Sequence, residues 1–154
     1  MVEDVFKLLL FLHLLVAIFA VGPLVGAATT ASRALRAPDA AAAASAARTI
    51  RIYSYVSVLV VILGMGLMSQ KAPWDKSENV AEFGDTWIWL SVLLWLAAMA
   101  LSLGLVVPSL NKAAAEIGSG RAVGGLTGRV AGAGGAIGLI FAVIVVLMVY
   151  QPGG

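Results

Sequence analysis

Residues 6–30 read FKLLLFLHLLVAIFAVGPLVGAATT, and Lys7 is their only charged residue. A helix needs about 20 predominantly apolar residues to cross about 30 Å of hydrocarbon, and this run supplies them. In lipid a single segment must satisfy its own backbone, so the run reads as a helix. It holds the only histidine of the chain, His13, and a Gly22-Pro23 break.

Composition extends this reading to the whole chain. Of its 154 residues, 61% are hydrophobic and 12% charged, with a mean hydropathy of +1.00. Soluble domains carry about 25% charged residues, so a water-soluble core is excluded. Three further apolar segments follow the first, at roughly Ile52–Ser69, Trp87–Val107 and Val130–Tyr150. The fold expected is all-α: a polytopic membrane protein whose four transmembrane helices form an up-down bundle. The whole chain, 1–154, is one membrane domain, with helices at about 4–36, 40–69, 87–117 and 121–150 and an outer loop at 70–86. No cysteine is present, which removes disulfides, thiolate metal sites and a Cys nucleophile. Glu3 and Asp4 stand where a signal peptide would be basic, so the first span is expected to be retained.

The charges orient the spans. Arg33, Arg36, Arg48 and Arg51 flank the first connection and Lys112, Arg121 and Arg129 the third, together seven of the ten basic residues. The positive-inside rule makes that side cytoplasmic and puts both termini outside, with the acidic 70–86 loop. The pI of 9.2 therefore reflects topology, and no nucleic-acid partner is implied. The four arginines also suit anionic lipid headgroups such as cardiolipin. Asp39 precedes an alanine-rich stretch and reads as the N-cap of helix 2. Pro23 and Pro108 each remove one backbone bond and are expected to bend helices 1 and 3. Trp74, Phe83, Trp87 and Trp89 form an aromatic group at the outer side, suited to the headgroup level and to a protein contact. Tyr53 and Tyr55 would mark the inner interface.

Helix 4 is preceded by glycines at a four-residue spacing, Gly124, Gly128 and Gly132, and carries a second pair, Gly134 and Gly138. Small-xxx-small faces let membrane helices approach closely. Helix 1 offers a matching face in Gly22, Gly26 and Thr30. Such a face packs against another helix of the same chain or docks a partner subunit.

His13 is the main candidate for chemistry, because ionisable groups at membrane depth are costly. Three readings stand: a neutral histidine bonded to a neighbouring helix, a contact to a partner's cofactor or proton path, or a haem ligand. A bis-His haem within one chain is excluded by the single histidine, and Met65, Met68 or Met99 would have to complete a His/Met pair. The acids all fall in predicted ends or loops, which argues against a proton-coupled exporter; a small transporter stands as a third reading of function, with His13 as the one protonatable group in its substrate path. Ser54, Ser57, Ser91 and Ser102 are expected to bond across helices, and no catalytic constellation is visible.

The FLHLLVAIFAVGPLVG stretch resembles a group of small four-helix bacterial membrane proteins of unknown function with an early Leu-His pair in helix 1. That group is distantly similar to copper-resistance-type membrane domains and to four-helix membrane protoporphyrinogen oxidases. The resemblance implies a haem or redox role for His13. In its Ala, Val, Gly and Arg usage, size and helix number, the chain also resembles actinobacterial accessory subunits of the cytochrome bc–cytochrome oxidase supercomplex. This implies a non-catalytic plasma-membrane subunit without a cofactor of its own, partnered by other membrane subunits in a respiratory hetero-oligomer.

Overall fold

The computed structural model describes residues 2–72 and 78–153. It is all-helical among those residues, and four helices are long and apolar enough to span a membrane: α1 (Glu3–Arg36), α2 (Ala40–Met68), α3 (Thr86–Gly118) and α4 (Leu126–Tyr150). The surfaces that face away from the other helices are apolar, with Phe11, Ile18, Phe19, Leu93, Leu139 and Val149 all more than half exposed. Such side chains can face outward at low cost only in hydrocarbon.

The α1/α2 turn follows the alanine logic of the sequence. Asp39 is extended and its Oδ1 accepts from the Ala42 N–H at 2.9 Å, which satisfies one of the free donors at the start of α2. At the α3/α4 turn, Gly120 and Gly124 take positive φ values of +73° and +46°, which disfavour any residue with a Cβ. α4 therefore begins at Leu126 instead of residue 121, and Gly124 belongs to the turn.

Both α1 and α3 contain a π turn, Ala17–Val21 and Ser102–Val106, that closes just ahead of Pro23 and Pro108. Proline lacks an N–H and its ring strikes the carbonyl four residues back. A π turn inserts one extra residue and moves that carbonyl aside.

One and the same shift along the chain carries Ala17–Val21 onto Ser102–Val106, Pro23 onto Pro108 and buried Ala28 onto buried Ala113. A slightly longer shift carries the buried positions Ala43, Ile50, Ser54 and Ser57 of α2 onto Val130, Ile137, Phe141 and Ile144 of α4. The contacts repeat in the same way. The first half of α1 packs on α2 as the first half of α3 packs on α4. Beyond its π turn, α1 also reaches α4, and α3 reaches α2. The chain is thus two helical hairpins of one design, and each π turn marks the place where a helix takes on a second neighbour.

All four helices meet at the end that carries Arg33, Arg48, Lys112 and Arg129, called the basic end below. The fully buried side chains Leu24, Ile50, Val106, Leu110, Val130 and Ile137 fill this region. At the other end, Ala72 and Val80 N–H donate to the Glu78 and Gln70 carbonyls, drawing the loop back on itself. Met68, Ala81, Trp87 and Leu147 form a smaller cluster beneath it.

Candidate functional site

His13 lies in the first half of α1 and faces α2, with only 8% of its surface exposed. Its Nδ1 donates to the Val60 carbonyl at 3.0 Å, so the neutral ring carries its proton on Nδ1 and keeps a lone pair on Nε2. A Cβ on Gly64 would come within 3.2 Å of the ring Cε1, so that glycine makes room for the imidazole. One turn earlier in α1, the Leu9 methyls lie 4.0 Å from the corresponding position on Gly66. The ring is thereby held on the α2 backbone.

A second polar group bridges α2 and α3. Ser57 Oγ donates to the Ser54 carbonyl at 2.7 Å and accepts from Trp95 Nε1 at 3.1 Å, with Met99 Sδ 3.5 Å away. Among the described residues the buried hydroxyls of Ser54, Ser91 and Ser102 have no partner, and of the four serines Ser57 alone realises the expected bonding across helices there. Trp95 shows no sign of this role in its sequence context. Its indole is one of four in the chain, and only the fold brings it to Ser57.

The glycines divide into two sets. Gly134 sits on the backbone of Ala28, and an added Cβ would collide with the Ala28 carbonyl. A Cβ on Gly138 would reach Thr29 Cγ2 at 3.2 Å. These two make the α1/α4 crossing inside the chain. Around Gly22, Gly26, Gly128 and Gly132, by contrast, a Cβ would meet nothing within 4 Å, and all four are exposed. α1 offers Val25, Ala28 and Thr29 to the crossing in place of the expected Gly22, Gly26 and Thr30.

Arg33, Arg36, Arg48 and Arg51 are exposed at the basic end and make no ion pair among the described residues. Of the aromatic group, Phe83 and Trp89 are 61% and 57% exposed, whereas Trp87 is buried against the loop. Trp74 lies outside the described residues. Tyr55 is exposed, and Tyr53 is partly buried against the core.

Sequence reasoning missed one feature, a pair of adjoining cavities between α3 and the start of α4. One, of about 330 Å³, is lined by Gly104, Leu105, Pro108, Ser109, Lys112, Leu126 and Arg129. The other, of about 470 Å³, shares Lys112, Leu126 and Arg129 and adds Glu116 and the Gly124-Gly125 turn. Glu116 lies 3.9 Å from Lys112. A signal was present in the pairing of Lys112 with Arg129, but it reads equally as topology.

Among the described residues no group of three or more His, Asp or Glu side chains converges to hold a metal. Compared with protein-family models, with curated proteins and with solved structures, the chain matches none.

Proposed function

We propose that the chain is a non-catalytic accessory or assembly subunit of a larger membrane complex. The observation that carries this reading is the second set of glycines. Gly134 and Gly138 serve the fold, whereas Gly22, Gly26, Gly128 and Gly132 form small-residue faces that no helix of the chain covers. Close backbone approach is a main source of helix association in lipid, so such faces suit helices of another subunit. Phe83 and Trp89, exposed at the loop end, extend the contact surface.

The complex proposed is respiratory, the cytochrome bc–cytochrome oxidase supercomplex of a bacterial plasma membrane. This rests on the resemblance in size, helix number and composition. The helices run up and down, with both termini outside and the basic end in the cytoplasm, where Arg33, Arg36, Arg48 and Arg51 meet anionic lipid. The contacts of Leu9 with Gly66 and of His13 with Gly64, whose numbers run in opposite directions, support this arrangement.

Purification in mild detergent followed by native mass spectrometry tests the reading. Co-purifying membrane subunits are expected, and their loss in Gly128→Leu or Gly132→Leu. Recovery as a lone monomer would overturn it.

One observation favours a second reading, in which His13 is an axial haem ligand. Metal-bound histidines typically donate their other ring N–H to a carbonyl or carboxylate, as His13 does to Val60. A Soret band that disappears in His13→Ala would support this; a colourless protein rejects it.

A further inference from the structure

The two hairpins provide a reference for what packing alone requires. The shift that superimposes Pro23 on Pro108 sets Ser109 where the first hairpin has Leu24, and Lys112 where it has Ala27. The shift that relates α2 to α4 sets Arg129 where α2 has Ala42. The first hairpin closes with Leu24 fully buried in the core. The second has replaced a leucine and two alanines with a hydroxyl and two cations, and has a cavity of about 330 Å³ there. Helix packing does not demand these three residues.

We propose that this cavity holds the phosphate of an anionic lipid headgroup. Its lining includes two cationic side chains and no carboxylate, since Glu116 belongs only to the adjoining space. Ser109 is 7% exposed and lines the cavity wall, where its hydroxyl can donate to an anionic oxygen. Leu126 opens a helix of 25 residues with no side-chain cap, so the positive end of the helix dipole lies at the cavity, although the Leu126 and Arg129 N–H groups themselves donate to the Val123 and Gly125 carbonyls. The remaining walls, Gly104, Leu105 and Pro108, are apolar. Below them, Leu93, Leu96 and Ala100 are exposed along α3, a flank on which an acyl chain can lie. That flank favours a lipid over a free phosphate, which offers the same headgroup chemistry. The site is separate from Arg33, Arg36, Arg48 and Arg51, and it requires no partner subunit.

The test is native mass spectrometry of the full chain in mild detergent, with phosphatidylglycerol, phosphatidylcholine or inorganic phosphate added. A phosphatidylglycerol adduct that phosphatidylcholine does not form is expected. Lys112→Gln with Arg129→Gln removes two charge-assisted contacts and should weaken that adduct by at least about tenfold. Arg121→Gln removes a charge at the same end from a residue that does not line the cavity and should leave it unchanged. Ser109→Leu restores the residue of the first hairpin; it should keep the thermal midpoint while losing the adduct. Equal binding of both lipids, or an adduct that survives in both Ser109→Leu and the double variant, would overturn the proposal. Displacement by inorganic phosphate would overturn the lipid as occupant.

Discussion

His13 spends its one hydrogen bond on a backbone carbonyl that already accepts within its own helix, so α2 does not depend on it. Truncation in His13→Ala removes the bond and leaves a void against Gly64. Interhelical bonds in membranes average about 0.6 kcal/mol, and the void adds to this, so a loss of about 1–3 kcal/mol is expected in a reversible unfolding titration in detergent. Gly64→Val should have a similar effect by driving the ring off Val60. Combined, the two should cost less than their sum, because both break one contact. The glycines give a sharper contrast. Gly134→Val forces a side chain into the Ala28 backbone and is expected to lower stability by about 1–3 kcal/mol or prevent folding. Gly128→Val meets open space and should leave the unfolding curve of the isolated chain unchanged. Sequence spacing drew equal attention to both sets, because a four-residue interval identifies a stripe but not the direction in which it faces. Likewise, the partner of His13 is a main-chain oxygen, which no side-chain pattern can reveal.

At the scale of the helix, the four spans were legible within a few residues, because hydropathy and length are enough to define them. The largest difference falls at the start of α4, where the sequence predicts helix from about residue 121 and the structure begins it at Leu126. There the backbone demand of Gly124, with φ of +46°, outweighs the regular glycine spacing. The prolines marked where α1 and α3 deviate but not the form of the deviation. A π turn is an α-helix with one residue inserted. Removing Ile18, which is 67% exposed, together with Pro23→Ala should therefore give a continuous α1 in which His13 still reaches Val60. Removing one residue between His13 and the π turn should instead rotate the first half of α1 by about 100° and lose that register, since each residue turns an α-helix by that angle. Thermal midpoints of the two deletions, compared with the parent, check this. The second is expected to be far the lower.

For the molecule as a whole, the likeness of the two hairpins is hardly visible in residue identity. Val, Leu, Ile and Ala replace one another freely in lipid, and only sparse matches such as Pro23 with Pro108 survive. Burial periodicity and helix contacts reveal it, because they depend on geometry. The proposed orientation, in contrast, rests on charge alone and is directly testable. The absence of native cysteine means that single cysteines introduced at Glu78 and Ser119 give clean labels. A membrane-impermeant maleimide applied to intact cells should modify the first and leave the second untouched until the membrane is opened. Labelling of both from outside would refute the proposed topology.

The order of these contacts along the chain has a consequence for how the protein is made. α1 and α2 touch along their whole length, through both halves of α1 and its π turn. They can dock as soon as Met68 has left the ribosome, with His13 already seated on Val60. The face of α1 around Ala28 must then wait, bare, through the synthesis of the loop and of α3. α4, the fourth of these spans in chain order, supplies Gly134 to cover it. The α1/α4 crossing thus closes with the arrival of a glycine, and a nascent chain stalled before α4 would present the Ala28 groove to any insertase or chaperone able to occupy it.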